Sequence, residues 1–349
     1  MKILLYGETD KIGSGAWCYA ETIRNLGYSL VTYSDELYFQ KYKFNFLNKV
    51  FRKLNGGIPM YKDLMNHNEN LLINANQSKP DLIIILKGLF IFKETIEKLK
   101  SISPYVININ HDDFFSLNKY NKSNIQFNAI SAYDSIFVTR LINLNEIMLI
   151  NKNTFFFPFS YYHKLHHWGS FKKEFNYDVI FIGTYEKERC KLLENLVIQI
   201  PNLKLGIYGE QWGKVRDWSP LKKFIKSKNG LWGQMFVDAT FSSKISLGFL
   251  RKENRDEYTQ RSLEIPACGG LLLAESSSFH KKLYIEDKEA SFFDPENVQT
   301  LVVKINQLLS NEKNIENIKI NGHFKVNQSN MTYEDRIKQL IKSYKILKR

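Results

Sequence analysis

The chain has 349 residues, 44% of them hydrophobic, and a formal net charge of +13. That length exceeds one ordinary core and predicts two domains, while the apolar share excludes a disordered chain. Its apolar runs stop short of a membrane span, and Cys18, Cys190 and Cys268, with no CxxC, exclude a disulfide framework or a zinc cluster. The cysteine usage fits a cytoplasmic protein. The positive charge suits an anionic partner: nucleic acid, anionic lipid or a phosphorylated small substrate. Widely spread lysines speak against nucleic acid. Abundant Asn, Lys and Ile also fit a biased genomic composition.

The opening, MKILLYGETD, lacks the length and cleavage site of a signal peptide and reads as a first strand, Lys2–Tyr6. A polar glycine loop follows, then a helix near Ala16–Leu26 and a second strand at Ser29–Tyr33. Segment 36–56, ELYFQKYKFNFLNKVFRKLNGG, interleaves aromatics with Lys41, Lys43, Lys49, Arg52 and Lys53. Such a helix suits an anionic membrane surface, at the inner face of the membrane, or a core-facing helix with solvated lysines. Asp81–Leu86, DLIIIL, is a continuous apolar run, as in a parallel strand covered on both faces. Phe92–Leu99 reads as a helix. Tyr105–Asn110, Ser135–Val138 and Thr154–Pro158 read as further strands. The pattern restarts with strand Tyr177–Ile182, helix Lys187–Gln199 and strand Leu203–Tyr208. Short strands follow at Lys244–Leu247 and Leu271–Ala274, and a last helix at Tyr333–Leu347. Two successive βαβ series predict an α/β chain of two doubly wound domains. Their expected boundaries are 1–160 and 161–332, with helix 333–349 packing back on the first.

In such sheets ligands bind beyond the carboxyl ends of the strands, which narrows the chemistry to a few loops. In Gly7–Gly15, Gly13 and its neighbours let backbone approach an anion at a helix start, or simply make a turn. His111, Asp112 and Asp113 follow a strand; one of them is a candidate general base, or an Asp caps the next helix. After Gly183, Thr184 either offers its hydroxyl to a phosphate or caps the helix carrying Arg189. In RDEYTQRSLEIPACGGLLLAE, residues 255–275, Arg261 and Glu264 are three apart and share a helical face. A guanidinium there can pair with phosphate and a carboxylate can accept ribose hydroxyls; a surface salt bridge is the plainer reading. Lys244, Arg251, Lys252 and Arg255 upstream could neutralise a diphosphate. His163, His166 and His167 form one cluster, but without HExxH they suit linker packing better than metal.

These motifs resemble a known family. DVIFIGTYEKERCKLL, IYGEQWG, SSKISLGFL, QRSLEIPACGGLLLAE and the late TYEDRI look like the GT-B glycosyltransferases of the spore maturation (CgeB-like) group. The resemblance covers about residues 177–345; INHDD supports it weakly in the first half. It implies two Rossmann-like domains facing an interdomain cleft, with a nucleotide-sugar donor on the second. It implies Glu264 on the ribose and Arg261 at the diphosphate, with Gly183, Thr184 and Arg189 on the same side. Cys268, Gly269 and Gly270 would form the turn supporting that helix, and Gly13, counted with the donor-binding residues, would face the cleft. Asp256 precedes Glu264 by eight residues, as in the E-x7-E pattern of retaining enzymes, although here the first acid is Asp. The implied reaction is metal-independent, hexosyltransferase-like transfer without a cofactor, in cell-surface glycan biosynthesis. The donor would be of UDP or GDP type and the acceptor a glycan, glycolipid or protein. Peripheral membrane contact is expected and nucleic acid is not. The alternatives are a nucleotide-sugar epimerase or hydrolase of the same fold, and a non-catalytic basic membrane- or nucleic-acid-binding module.

Overall fold

In a computed structural model, residues 1–34, 36, 63–116 and 123–347 are described; the aromatic and basic segment at 37–56 lies outside them. By packing the chain forms two units. The first comprises Met1–Phe159, Arg251–Asp256 and Tyr333–Arg349; the second comprises Ser160–Leu250 and Glu257–Thr332. The six residues Arg251–Asp256 thus depart from the continuous 161–332 read from the sequence.

The first unit is built on a six-stranded sheet in the order β2-β1-β3-β4-β5-β6. The strands are β1 (Lys2–Tyr6), β2 (Ser29–Tyr33), β3 (Leu82–Leu86), β4 (Val106–Asn110), β5 (Ser135–Val138) and β6 (Thr154–Phe156). All pair in parallel. Ile83, Ile85, Val106 and Ile136 sit at no more than 1% exposure, which is why these strands read as unbroken apolar runs. Helices α1 (Gly15–Asn25), α2 (His67–Ser78), α3 (Lys93–Lys100), α4 (Asn124–Ala129) and α5 (Leu141–Met148) cover the sheet. Helix α1 starts where Ser14 Oγ accepts from Trp17 N at 3.1 Å. The C-terminal helix α12 (Tyr333–Leu347) returns to this unit, with Tyr333 edge-on to Tyr19 at 4.7 Å.

The second unit repeats the plan in the order β12-β11-β10-β7-β8-β9. Its strands are β7 (Val179–Ile182), β8 (Leu205–Tyr208), β9 (Ile225–Ser227), β10 (Ile245–Gly248), β11 (Leu272–Glu275) and β12 (Ser291–Phe293). These pairs too are parallel. Helices α6 (Lys187–Gln199), α7 (Gln234–Ser242), α8 (Arg261–Ala267), α9 (Ser278–Leu283), α10 (Val298–Leu309) and α11 (Glu312–Asn327) flank it. Strand order reverses between β7 and β10, so the carboxyl ends of these two strands make the crevice where this architecture binds ligands.

Candidate functional site

At the reversal point of the second sheet, the loops leaving β7 and β8 lie backbone against backbone. Gly183 N donates to Tyr208 O at 2.9 Å, and Trp212 Nε1 donates to Gly183 O at 2.8 Å. A Cβ on Gly209, whose φ is +151°, would stand 1.9 Å from Gly183 O, so only glycine fits. Arg189 lies beneath, on α6. Its guanidinium donates to Thr184 O at 3.2 Å and Leu250 O at 3.4 Å, joining the ends of β7 and β10 across the reversal. The group is 8% exposed, and its ring neighbours Phe181 and Phe249 have centroids 5.9 and 5.8 Å away. Arg189 therefore braces the crevice floor. Thr184 does not cap α6; Glu186 holds that position, because the helix starts at Lys187.

Helix α8 presents its first turn at the same edge, since it starts from the loop that leaves the carboxyl end of β10. Arg261 Nη1 donates to Glu264 Oε2 at 2.8 Å, and the guanidinium stacks 3.9 Å from the Phe236 ring centroid. The pair is not a surface salt bridge, because Glu264 is 6% exposed. Glu264 Oε1 stands 3.8 Å from His166 Nε2. His166 Nδ1 accepts from Tyr162 N at 3.2 Å, so in the neutral ring the proton sits on Nε2. Burial lowers the His166 pKa, against the pull of Glu264. The sequence reading grouped His166 with His163 and His167 as linker packing; the structure sets His166 beside the Glu264 carboxylate. A second layer fixes α8: Ser262 Oγ meets His280 Nε2 at 2.8 Å, His280 Nδ1 meets Glu275 O at 2.8 Å, and Tyr284 OH donates to Ser262 O at 2.6 Å.

Several expected donor residues stand elsewhere. Gly269 and Gly270 close the far end of α8, donating to Pro266 O at 2.9 Å and Ile265 O at 3.0 Å. Seven helical residues, about 10 Å, separate them from Arg261. A Cβ on Gly270 would meet Thr240 Cγ2 at 2.5 Å, which explains the glycine by packing rather than by a ligand. Lys244 precedes β10, at the amino edge, and pairs with Asp178 at 3.4 Å and Glu312 at 3.1 Å. Arg251 and Asp256 belong to the first unit. Asp256 is buried against Arg140, whose Nε donates to Oδ1 at 3.0 Å, and Arg251 N donates to Oδ2 at 3.3 Å. That carboxylate holds a fold contact and has no open face for a sugar.

In the first unit, the expected base candidates separate. Asp113 is fully buried. It accepts from Arg255 Nε at 2.5 Å and Nη2 at 2.7 Å, from Asn143 Nδ2 at 2.7 Å and from Phe115 N at 2.8 Å. Burial pushes its pKa up, but these donors hold it below the usual range. It is a structural anion and not a base. Asp112 points the other way: its side chain keeps 24% exposure, with Lys87 Nζ at 2.6 Å and Asn254 Nδ2 at 3.2 Å. Burial raises its pKa and Lys87, Arg140 and Arg251 lower it, with the net shift downward. His111 Nε2 lies 3.1 Å from Tyr19 OH. Its pKa falls to about 4, chiefly through burial, so the ring is neutral at pH 7. Gly13 (φ +80°) forms the turn after β1, at the carboxyl edge that His111 and Asp112 occupy after β4. Sequence reasoning missed Lys87, which sits at φ +61° with its carbonyl held by Asn108 Nδ2 at 3.2 Å and Gln126 Nε2 at 2.8 Å. A left-handed lysine so held is strained, and nothing in the local sequence announces it. Among the described residues, no group of three or more His, Cys, Asp or Glu side chains forms a metal site. Nor is any helix among them long and apolar enough to cross a membrane.

Residues 188–342 match a family described as glycosyl transferase-like. Among curated proteins no sequence matches the chain. Among solved structures, HepE of Anabaena in complex with UDP-glucose is similar with a TM-score of 0.65 and 12% identity, covering 98% of this chain and 99% of that one. Sucrose-phosphate synthase from Thermosynechococcus elongatus gives 0.63 and 12%, covering 99% of each chain. A glycosyltransferase from Rickettsia africae gives 0.64 and 10%, covering 100% of this chain and 99% of that one. With its two parallel α/β Rossmann-like domains, the chain has the GT-B glycosyltransferase fold.

Proposed function

We propose that the chain transfers a sugar from a nucleoside-diphosphate donor to a hydroxyl acceptor. One observation carries the reading: the buried Glu264 and part-exposed Arg261 share the first turn of α8, beside the strand-order reversal, within the stretch that matches the glycosyl transferase-like family. Glu264 accepts the ribose hydroxyls. Arg261, held flat on Phe236, faces the diphosphate and stabilises its charge as the bond from the anomeric carbon to the diphosphate oxygen breaks. The acceptor oxygen forms the new bond to that carbon. In an inverting reaction its proton passes to Asp112, the carboxylate of the 111–113 group whose ion pair keeps solvent exposure. Cationic side chains do the work of a metal in this reading, so transfer is metal-independent. UDP and UDP-glucose bound to HepE make a uridine donor the first to try. The acceptor class is a glycan, a glycolipid or a protein.

The test is thermal stabilisation by a panel of UDP-, GDP-, CMP- and dTDP-sugars. One nucleotide at 100 times its Kd should stabilise the second unit by about 2.7 kcal/mol. Glu264→Ala should abolish the shift, and Arg261→Met should weaken the diphosphates more than the free nucleosides. No response to any donor, or an unchanged response in Glu264→Ala, overturns the reading.

A further inference from the structure

The outer edge of the second unit's sheet is chemically one-sided. Residues 211–229, QWGKVRDWSPLKKFIKSKN, carry six bases and one acid, Asp217, in a 19-residue stretch. Trp212, Val215, Leu221 and Phe224 turn inward and join the core. Lys214, Arg216, Lys223, Lys226 and Lys228 turn outward and are exposed, as is Trp218. Trp218 is 75% exposed, and the Arg216 guanidinium stands 5.7 Å from its ring centroid. Strand β9, Ile225–Ser227, is the last strand of the sheet, so nothing within the sheet covers this side. Next to it a cavity of about 330 Å³ opens between Tyr177 and Phe224, rimmed by Lys204, Lys223 and Lys226. Lys226 Nζ donates only to a backbone carbonyl, Lys223 O at 3.3 Å, and Lys223 Nζ stands 5.0 Å from the Phe224 ring centroid. Among the described residues no carboxylate lies within ion-pairing reach of these three lysines.

We propose that this edge docks on an anionic lipid surface, with Trp218 entering the headgroup layer and the three-lysine cavity taking a lipid phosphate. Lysines on an edge strand also discourage strand pairing, but that role asks for no exposed tryptophan and no cationic cavity. A tryptophan is the aromatic that settles at a membrane–water boundary, and basic residues near an anionic leaflet each add to the attraction. The residues that make it are separate in sequence from the aromatic and basic segment at 37–56.

The experiment is vesicle co-sedimentation of the full chain. It compares pure phosphatidylcholine with phosphatidylcholine containing one third phosphatidylglycerol. Binding should appear only with the anionic lipid and fall as salt rises. Reversing Arg216→Glu, Lys223→Glu, Lys226→Glu and Lys228→Glu together should cut partitioning at least about 100-fold. Trp218→Ser should cut it several-fold and leave the salt dependence unchanged. Every altered side chain is exposed, so an unchanged Tm verifies folding. Lack of binding to anionic vesicles overturns the proposal. So does full binding by the four-fold variant, or loss of binding on neutralising Lys41, Lys43, Lys49, Arg52 and Lys53 alone. Displacement from vesicles by a stoichiometric single-stranded oligonucleotide would assign the edge to nucleic acid instead.

Discussion

Arg255 offers the sharpest test of how the first unit is held. Its guanidinium makes four charge-assisted hydrogen bonds, two to Asp113 at 2.5 and 2.7 Å and two to Glu146 at 2.8 Å. Asp113 has no exposure at all, whereas the Glu146 side chain is 31% exposed. Removing the arginine therefore acts almost wholly through Asp113. Breaking a buried ion pair from one side costs roughly 3–5 kcal/mol, since a desolvated charge stays behind. Asn143 and Phe115 N still bind Asp113, which places Arg255→Ala near the lower end, about 3 kcal/mol. For a unit of this size that lowers Tm by roughly 6–12 °C. Glu146→Gln should cost no more than about 1 kcal/mol, as for exposed pairs. Arg255→Ala combined with Asp113→Asn should fall short of additivity by about 2 kcal/mol. Urea unfolding followed by hydrogen exchange locates the loss, because Trp17 is the single tryptophan of the first unit and fluorescence reports mainly on the second. A loss under 1 kcal/mol, or one confined to second-unit peptides, would refute the assignment of Arg251–Asp256 to the first unit.

Other outcomes follow from the same geometry. His67 and His280 are buried with pKa values lowered to about 4, chiefly by desolvation, opposed at His67 by Asp63 and at His280 by the Glu275 carbonyl. Because the folded values lie below the unfolded value near 6.5, their stabilisation is complete above pH 6.5 and drains away as pH falls towards 4. At pH 5 each costs about 2 kcal/mol, so the urea midpoint should fall between pH 7.5 and pH 5, and less steeply in His280→Gln. A flat profile would contradict the burial. Gly209→Ala should destabilise the second unit by at least about 3 kcal/mol, as its Cβ would overlap Gly183 O and no side chain can yield; a melt within 2 °C of the parent would refute the contact. Cys18, Cys190 and Cys268 are all buried and in the thiol form, and burial lifts the Cys190 thiol to about 11. A disulfide reagent should modify none of them in the native protein and all three in urea; prompt native labelling would count against this packing.

Much of the fold is written locally. Lys2–Tyr6 and Ser135–Val138 read from the sequence at the bounds the structure gives, because strands covered on both faces leave continuous apolar runs; Ser29–Tyr33, a half-buried edge strand, reads at its bounds from the β-rich run SLVTY. Strand β9, IKS, escaped because an edge strand alternates and carries an exposed lysine, and β12, SFF, because three residues make no run. At the site, Arg261 and Glu264 were legible because their partnership is local, three residues along one helix. Asp112 and Asp113 were not separable. Adjacent side chains diverge, and their deciding partners, Asn254 and Arg255, each stand 142 residues away. Lys244 misled because a base near the motif in sequence lies at the opposite edge of the sheet, and distance along the chain says nothing of which edge a loop occupies.

The excursion of Arg251–Asp256 and the return of α12 bear on how the protein emerges from a ribosome. The second unit is fully synthesised at Thr332, while the first still lacks its last helix and has received Arg255 and Asp256 only about 100 residues after its last strand. Until position 255 is made, Asp113 and Glu146 face each other without their shared cation, and until position 256 is made, Arg140 has no carboxylate. The half translated first is therefore the half completed last. Truncation after residue 159 should leave a fragment with an unneutralised Asp113 rather than a free-standing domain.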